Sequence, residues 1–380
     1  MAAVKKTERL VSLDVFRGIT IAGMILVNNP GSWSHIYKPL AHAEWHGWTP
    51  TDLIFPFFLF IVGVAMTFSF NKLESNGVPK KDVYKKIVRR FFILFGLGLF
   101  MAIFPLVRFD PLRLYDFSTM RIMGVLQRIA VAYLFASIIF LEFRKAKYHA
   151  YWAFGLIIFY WIIMKTIPVP GYGAGNLTME GNLATYIDNL IMPNHLWKLH
   201  WDPEGLLSTI PAIGTVLFGI LTGHLLHSDL SKKDKAIYMF IFGNIGLVTG
   251  LIVDVWFPIN KGLWTSSYVL FTAGFALHFL AMCFWLIDLK GYKAWSKPFV
   301  IYGMNAIAVF VLSGLMAKLM YMIKIPLADG AVSLKGLIYE YLLLPIASPI
   351  NASLIYALLY IGFWLWMMWL LYKRNIFIKI

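Results

Sequence analysis

Apolar runs of about 20 residues recur along this chain, and no other feature limits its fold as strongly. Wound as a helix, such a run matches the roughly 30 Å hydrocarbon core of a bilayer. Ten runs read as spans, at about 11–29, 52–70, 88–106, 121–141, 150–167, 206–226, 236–257, 265–287, 298–322 and 352–372. The expected fold class is all-α: a polytopic transmembrane helix bundle, one domain over residues 1–380 with no linker dividing it. The segment SLKGLIYEYLLLPI at 333–346 is short and charged, so it reads as a helix at the membrane interface, with an eleventh span as the alternative. A hydrophobic fraction of 59%, a charged fraction of 14% and a mean hydropathy of +0.70 exclude a water-soluble domain.

The net charge of +15 raises the question of nucleic acid, and its distribution answers it. Basic residues gather in alternate loops, around Lys5–Arg9, Lys72–Arg90, Arg144–Lys147, Lys232–Lys235, Lys290–Lys297 and Lys373–Lys379. That alternation is the orientation signal of a multi-pass membrane protein, and nucleic acid is not an expected partner. It puts the N-terminus in the cytoplasm, and an even number of spans returns the C-terminus there. The opening MAAVKKTER precedes an apolar run with no small-residue cleavage site, so that run reads as a retained helix. The single cysteine, Cys283, excludes an intramolecular disulfide or a thiolate cluster, and no HExxH-type spacing suggests a metal.

Function concentrates in the loop after the first span, NNPGSWSHIYKPLAHAEWHGWTPTD at 28–52. It holds three of the nine histidines, His35, His42 and His46, with Glu44, Trp45 and Asp52. Polar and ionisable groups gathered at one membrane edge suggest a site. Imidazole accepts a proton near neutral pH or attacks an activated acyl group. Asp52 either caps the second span or orients a histidine. Asn28 and Asn29 either end the first helix or donate to a developing oxyanion. Pro56 is expected to bend the second span.

Further polar groups mark other span ends. Asp14 and Arg17 share a helix face. Gln127 and Arg128 lie inside a span, where an arginine must face the interior; pairing with Asp14 or Asp254 is one reading and contact with a substrate anion the other. Asp202 and Glu204 in DPEG start a helix or attract a cationic amine. Asn260, Lys261 and Asn305 add polar groups at two more ends. Arg89 and Arg90, with Lys85 and Lys86, either set orientation or hold phosphates.

Seven stretches in order, from LDVFRGITIAGMILVNN through HAEWHGWTPTDLIFPFFLFIVG, RIMGVLQRIAVAY, DPEGLLSTIPAIGTVLFGILTG, INKGLWTSSYVLFTAG and YGMNAIAVF to YKRNIFIKI, resemble the transmembrane acetyltransferases typified by heparan-alpha-glucosaminide N-acetyltransferase. The chain looks like a compact bacterial member, placed in the inner membrane. The resemblance implies acetyl-CoA entering from the cytoplasm and acetyl transfer to the amine of a terminal glucosamine on the outer face. It places the catalytic pair on His42 and Asn28, with Asp52 beside them. Asp52, Gln127, Arg128, Asp202, Glu204, Asn260, Lys261 and Asn305 also match family motifs, which assign no role to each; the expected acceptor contacts are Trp45, Asp202, Glu204, Asn260, Lys261 and Asn305, and the expected acetyl-CoA contacts are Arg17, Arg89, Arg90, Gln127 and Arg128. No metal is implied; lipid surrounds the bundle, and a homodimer fits the family. A sugar transporter on the same scaffold is the alternative reading, and a hydroxyl acceptor is a third.

Overall fold

A computed structural model describes residues 10–109, 112–198, 200–327 and 330–378; the basic residues Lys5, Lys6, Arg9 and Lys379 lie outside them. Helix predominates, and three two-stranded hairpins are the only sheets among the described residues. The helices are α1 Val11–Asn28, α2 Ile54–Ser75, α3 Lys80–Ile103, α4 Val125–Glu142, α5 Ala146–Thr166, α6 Leu183–Ile191, α7 Thr209–His227, α8 Lys232–Asp254, α9 Ser266–Phe284, α10 Lys297–Met304, α11 Ala306–Met322, α12 Leu334–Gly336 and α13 Pro349–Lys373. Each of the ten expected spans falls on a helix. Length and apolar composition qualify seven of these helices to cross a membrane, or eight if the bent pair α10–α11 counts as one span. The exact count of ten is therefore not established, and α3 and α5 are the two outside the qualifying set.

Two features follow from where water is absent. Helices α5, α8 and α13 expose Ile158, Phe159, Ile162, Ile245, Val248, Leu358 and Trp366, which suits a surface solvated by acyl chains. In the interior, small residues let backbones meet. A Cβ added to Gly63 of α2 would lie 2.0 Å from the Val216 carbonyl oxygen of α7, and one added to Gly219 of α7 would lie 2.0 Å from the Phe60 oxygen. These two glycines set the crossing that brings α2 and α7 to the centre of the bundle.

Pro56 does not kink the second span midway. It falls in the first turn of α2, where a missing N–H removes nothing from the helical ladder. The ninth expected span is instead broken, with 72° between α10 and α11. Asn305 sits at the break. Its Nδ2 donates to the Ile376 carbonyl at 3.1 Å and its Oδ1 accepts from the Ile378 N–H at 2.8 Å, so the C-terminal segment is tied to the bend. The 333–346 segment forms α12 and then a π-helical stretch Leu337–Leu343, too short to cross. It is set in place by a hairpin pairing Lys324–Leu327 with Gly330–Ser333.

Candidate active site

The loop 29–53 packs over one end of the bundle and is clamped from two sides. The Gly47 N–H donates to the Ile259 carbonyl at 2.8 Å in the α8–α9 connection. The Trp45 indole donates to the Leu177 carbonyl at 2.8 Å in the long α5–α7 segment. This segment, with its small β-hairpin (Pro168–Val169 and Gly173–Ala174) and α6, roofs the site with Trp197 and Trp201. The Trp45 and Trp201 rings meet edge to face, with centroids 5.5 Å apart.

Asp52 serves both roles its position suggests. Its Oδ2 accepts from the Thr49 N–H at 3.0 Å and completes a capping box at the 3₁₀ turn Pro50–Leu53 that leads into α2. The same oxygen accepts from the Ala43 N–H at 3.0 Å. Its Oδ1 lies 2.6 Å from His42 Nδ1. The carboxylate is buried, while the imidazole is about half exposed, at 46%. With a proton on Nδ1 given to Asp52, the Nε2 lone pair of His42 is left for a reacting proton or carbonyl carbon.

Lys261 joins this pair from the α8–α9 connection. Its Nζ lies 3.1 and 3.3 Å from the two ring nitrogens of His42 and 3.5 Å from Asp52 Oδ1. Burial lowers the lysine pKa, and the nearby carboxylates of Asp52 and Glu204 oppose that. Neighbouring Asn260 holds the backbone of this connection in shape. Its Oδ1 accepts from the Leu263 N–H at 2.8 Å, and its Nδ2 lies 3.3 Å from His46 Nδ1. Burial lowers the His46 pKa, while Asp254 raises it. His35 is exposed and, among the described residues, meets only Ser32 through a polar contact, at 3.4 Å.

A cavity of about 600 Å³ receives His42, Asn28, Asp52, Trp45, Glu204 and Lys261 together. Asn29, not Asn28, caps α1, donating from Nδ2 to the Ile25 carbonyl at 2.8 Å. No described residue hydrogen-bonds the Asn28 carboxamide, which faces the cavity. Glu44 lines the wall without an ion-pair partner among the described residues. Trp201 also lines it, and its buried indole N–H has no partner among the described residues. Asp202 stands behind the wall. It takes Arg121 in a two-pronged pair, Nε to Oδ2 at 2.8 Å and Nη2 to Oδ1 at 2.6 Å, while Arg121 also binds Glu204. Burial opposes the Arg121 charge, but Asp202 and Glu204 outweigh it and hold its pKa above the ordinary value. Sequence reading passes over Arg121, although it opens RIMGVLQR; only its partners, more than 80 positions away, make it part of the wall.

A second cavity, of about 280 Å³, receives Arg17, Arg90, Tyr133 and the α10–α11 break. On α2, Ile54 and Phe55 face the first cavity, and Phe58 and Ile61 the second. On α11, Phe310 faces the first, and Ala306 and Ile307 the second. The two cavities are thus stacked along the bundle, about one helical turn apart, or ~5 Å. The buried Arg90 Nε has no partner among the described residues, and the guanidinium lies 4.6 Å from the Tyr133 ring centroid. Arg17 donates to the Gly303 carbonyl at 3.1 Å and pairs with Asp14. Arg89 is exposed and outside both cavities.

Gln127, Arg128, Asn260 and Asn305 also line neither cavity. The Gln127 carboxamide fills the space over Gly98 where α3 meets α4. Arg128 pairs with neither Asp14 nor Asp254. It donates to the Gly205 carbonyl at 3.1 Å and to Ser208, and lies 4.9 Å from the Trp264 ring. Asp254 instead accepts from the Ile259 N–H at 2.5 Å.

Fold and site together define a multi-pass membrane protein with a His–Asp–Lys centre at one end of its bundle. The catalytic family described as "Heparan-alpha-glucosaminide N-acetyltransferase, catalytic" matches residues 9–252, and the chain belongs to that family. Heparan-alpha-glucosaminide N-acetyltransferase of Homo sapiens is 31% identical over 355 residues, covering 80% of this chain and 52% of the human protein. The Mus musculus protein of the same name is 30% identical over 356 residues, covering 80% and 53%. The chain spans about half the length of these curated relatives.

Proposed function

We propose that this protein transfers the acetyl group of acetyl-CoA, taken from the cytoplasmic side, to the amine of a terminal glucosamine or related amino sugar on the opposite side. The observation that carries the reading is the stacking of two cavities, with arginines at one end and the His42–Asp52–Lys261 centre at the other. Arg17 and Arg90 suit the phosphates of the donor, and Arg90 has a buried N–H without a partner among the described residues. The faces of α2 and α11 that run from one cavity to the other suit its pantetheine arm. The family names support an N-acetyltransferase, and the positive loops support cytoplasmic termini.

In the direct route, the acceptor nitrogen attacks the thioester carbonyl. A C–N bond forms as the C–S bond breaks. His42 Nε2 takes the proton that the nitrogen loses and returns it to the departing thiolate, giving free CoA. Asn28 donates to the oxyanion of the tetrahedral intermediate. Asp52 holds the imidazole tautomer and orientation. Glu44 draws the amine into the cavity, and the Trp201 indole N–H offers a hydrogen bond to a sugar hydroxyl. In the rival route, His42 first carries the acetyl group as an acyl-imidazole. Direct transfer is favoured because an acyl-imidazole beside water hydrolyses unless the site closes.

The test is transfer by purified protein in nanodiscs, with radiolabelled acetyl-CoA and glucosamine. Wild type forms labelled N-acetylglucosamine, and His42→Ala loses at least about 100-fold of the rate, the scale of a general base. No transfer to any amino sugar by folded protein contradicts the reading and favours transport on this scaffold. Transfer that survives His42→Ala moves the site elsewhere.

A further inference from the structure

A smaller cavity of about 220 Å³ adjoins the His42 cavity, and both include Asn28 and Trp33 in their walls. Its other walls come from elements distant in sequence: Lys318 and Tyr321 at the end of α11, Lys335 of α12 and Tyr356 of α13. The hairpin Lys324–Leu327/Gly330–Ser333 turns the chain back, so that Lys335 lines the same cavity as Lys318. Two lysines thus line one small space.

Neither has a carboxylate partner among the described residues. Lys318 Nζ donates to the Met101 carbonyl at 2.5 Å and the Phe104 carbonyl at 3.0 Å, at the end of α3. An ammonium has three N–H donors, so one remains. Lys335 Nζ sits 5.3 Å from the Tyr321 ring centroid and 5.7 Å from that of Tyr356, with no hydrogen bond to a described residue. Burial lowers its pKa, which an anion beside it would reverse. Half-buried positive charge without a counter-charge is costly, and it is paired in most folded proteins. The larger cavity differs in charge: its wall carries the carboxylates Glu44, Asp52 and Glu204 beside Arg121, Lys198 and Lys261, whereas lysines are the charged residues lining the smaller one.

Resting on the acetyl-transfer reading, we propose that this side cavity is a subsite for an anionic substituent of the acceptor, a carboxylate, phosphate or sulfate held by Lys318 and Lys335. The acceptor is then bipolar. Its amine enters beside His42 and its anion enters beyond Asn28, which fixes the sugar's orientation at the reacting nitrogen. Anionic lipid headgroups offer the same chemistry from a second source.

The test is equilibrium binding in nanodiscs of zwitterionic lipid, with glucosamine, glucosamine 1-phosphate and glucosamine 6-phosphate as probes. Wild type binds at least one phosphosugar tenfold or more tighter than glucosamine. Lys335→Gln brings that ratio to about one, and Lys335→Arg keeps most of it. Equal affinities in wild type, or a ratio unchanged in Lys335→Gln, overturn the proposal. So does a result in which Lys335→Gln changes only the association with anionic lipid added to the discs. A binding preference without any acetyl transfer keeps the subsite and removes the transferase reading. Transfer to glucosamine with no preference does the reverse.

Discussion

Asp52 shows how one side chain serves fold and chemistry at once. Its Oδ2 closes the loop through Ala43 and Thr49, and its Oδ1 holds His42. Asp52→Asn keeps an oxygen for the backbone donors but removes the charge facing His42 and Lys261. Its kcat is expected to fall at least about 100-fold with a small change in melting temperature, by analogy with the loss of a triad carboxylate. Steady-state kinetics and a thermal melt of the same preparation check both halves. Equal loss of folding and activity would mean a capping role alone. His42 and Asp52 are legible from the sequence because they lie ten positions apart in one polar loop. The contact of Lys261 with them is not, since it spans 219 positions and depends on the α8–α9 connection folding back under the loop. The same reason hides Arg121, Lys318 and Lys335.

At the scale of elements, the helices are readable because burial in a bilayer demands long apolar runs, and every expected span but the ninth lies on a single helix. The break at Asn305 is not, because a mid-span asparagine signals a polar contact but not its partner in the tail. α6 and the hairpins escape sequence reading for a related reason: they are short and held by tertiary contacts rather than by periodicity. α6 carries its own pH signature. Asp188 accepts from the Leu206 N–H at 2.8 Å ahead of α7. Burial raises its carboxyl from 3.8 to about 7, against the lowering pull of that hydrogen bond. The folded state therefore holds this proton more tightly than the unfolded chain. The resulting stabilisation is complete below the ordinary carboxylate range and lost as pH rises through about 7. The melting temperature of wild type relative to Asp188→Asn should fall as pH is raised across that window. A constant difference would show that Asp188 does not titrate there.

For the whole molecule, the proposed reaction joins two compartments. The His42 centre and the Arg17–Arg90 cavity lie along one axis of the bundle, and only about a turn of α2 and α11 separates them. On the proposed reading, the arginine end faces the cytoplasm. A soluble acetyltransferase would need no such arrangement, whereas a donor confined to one side and an acceptor on the other require it. Sidedness is therefore the most direct measurement. Protein is reconstituted into sealed liposomes, the orientation is determined by protease accessibility of the termini, and acetyl-CoA is supplied on the side of the termini only. Amino sugar on the opposite side alone is expected to be acetylated, and His42→Ala to abolish it. Acetylation only when donor and acceptor share a side would contradict the proposed reaction.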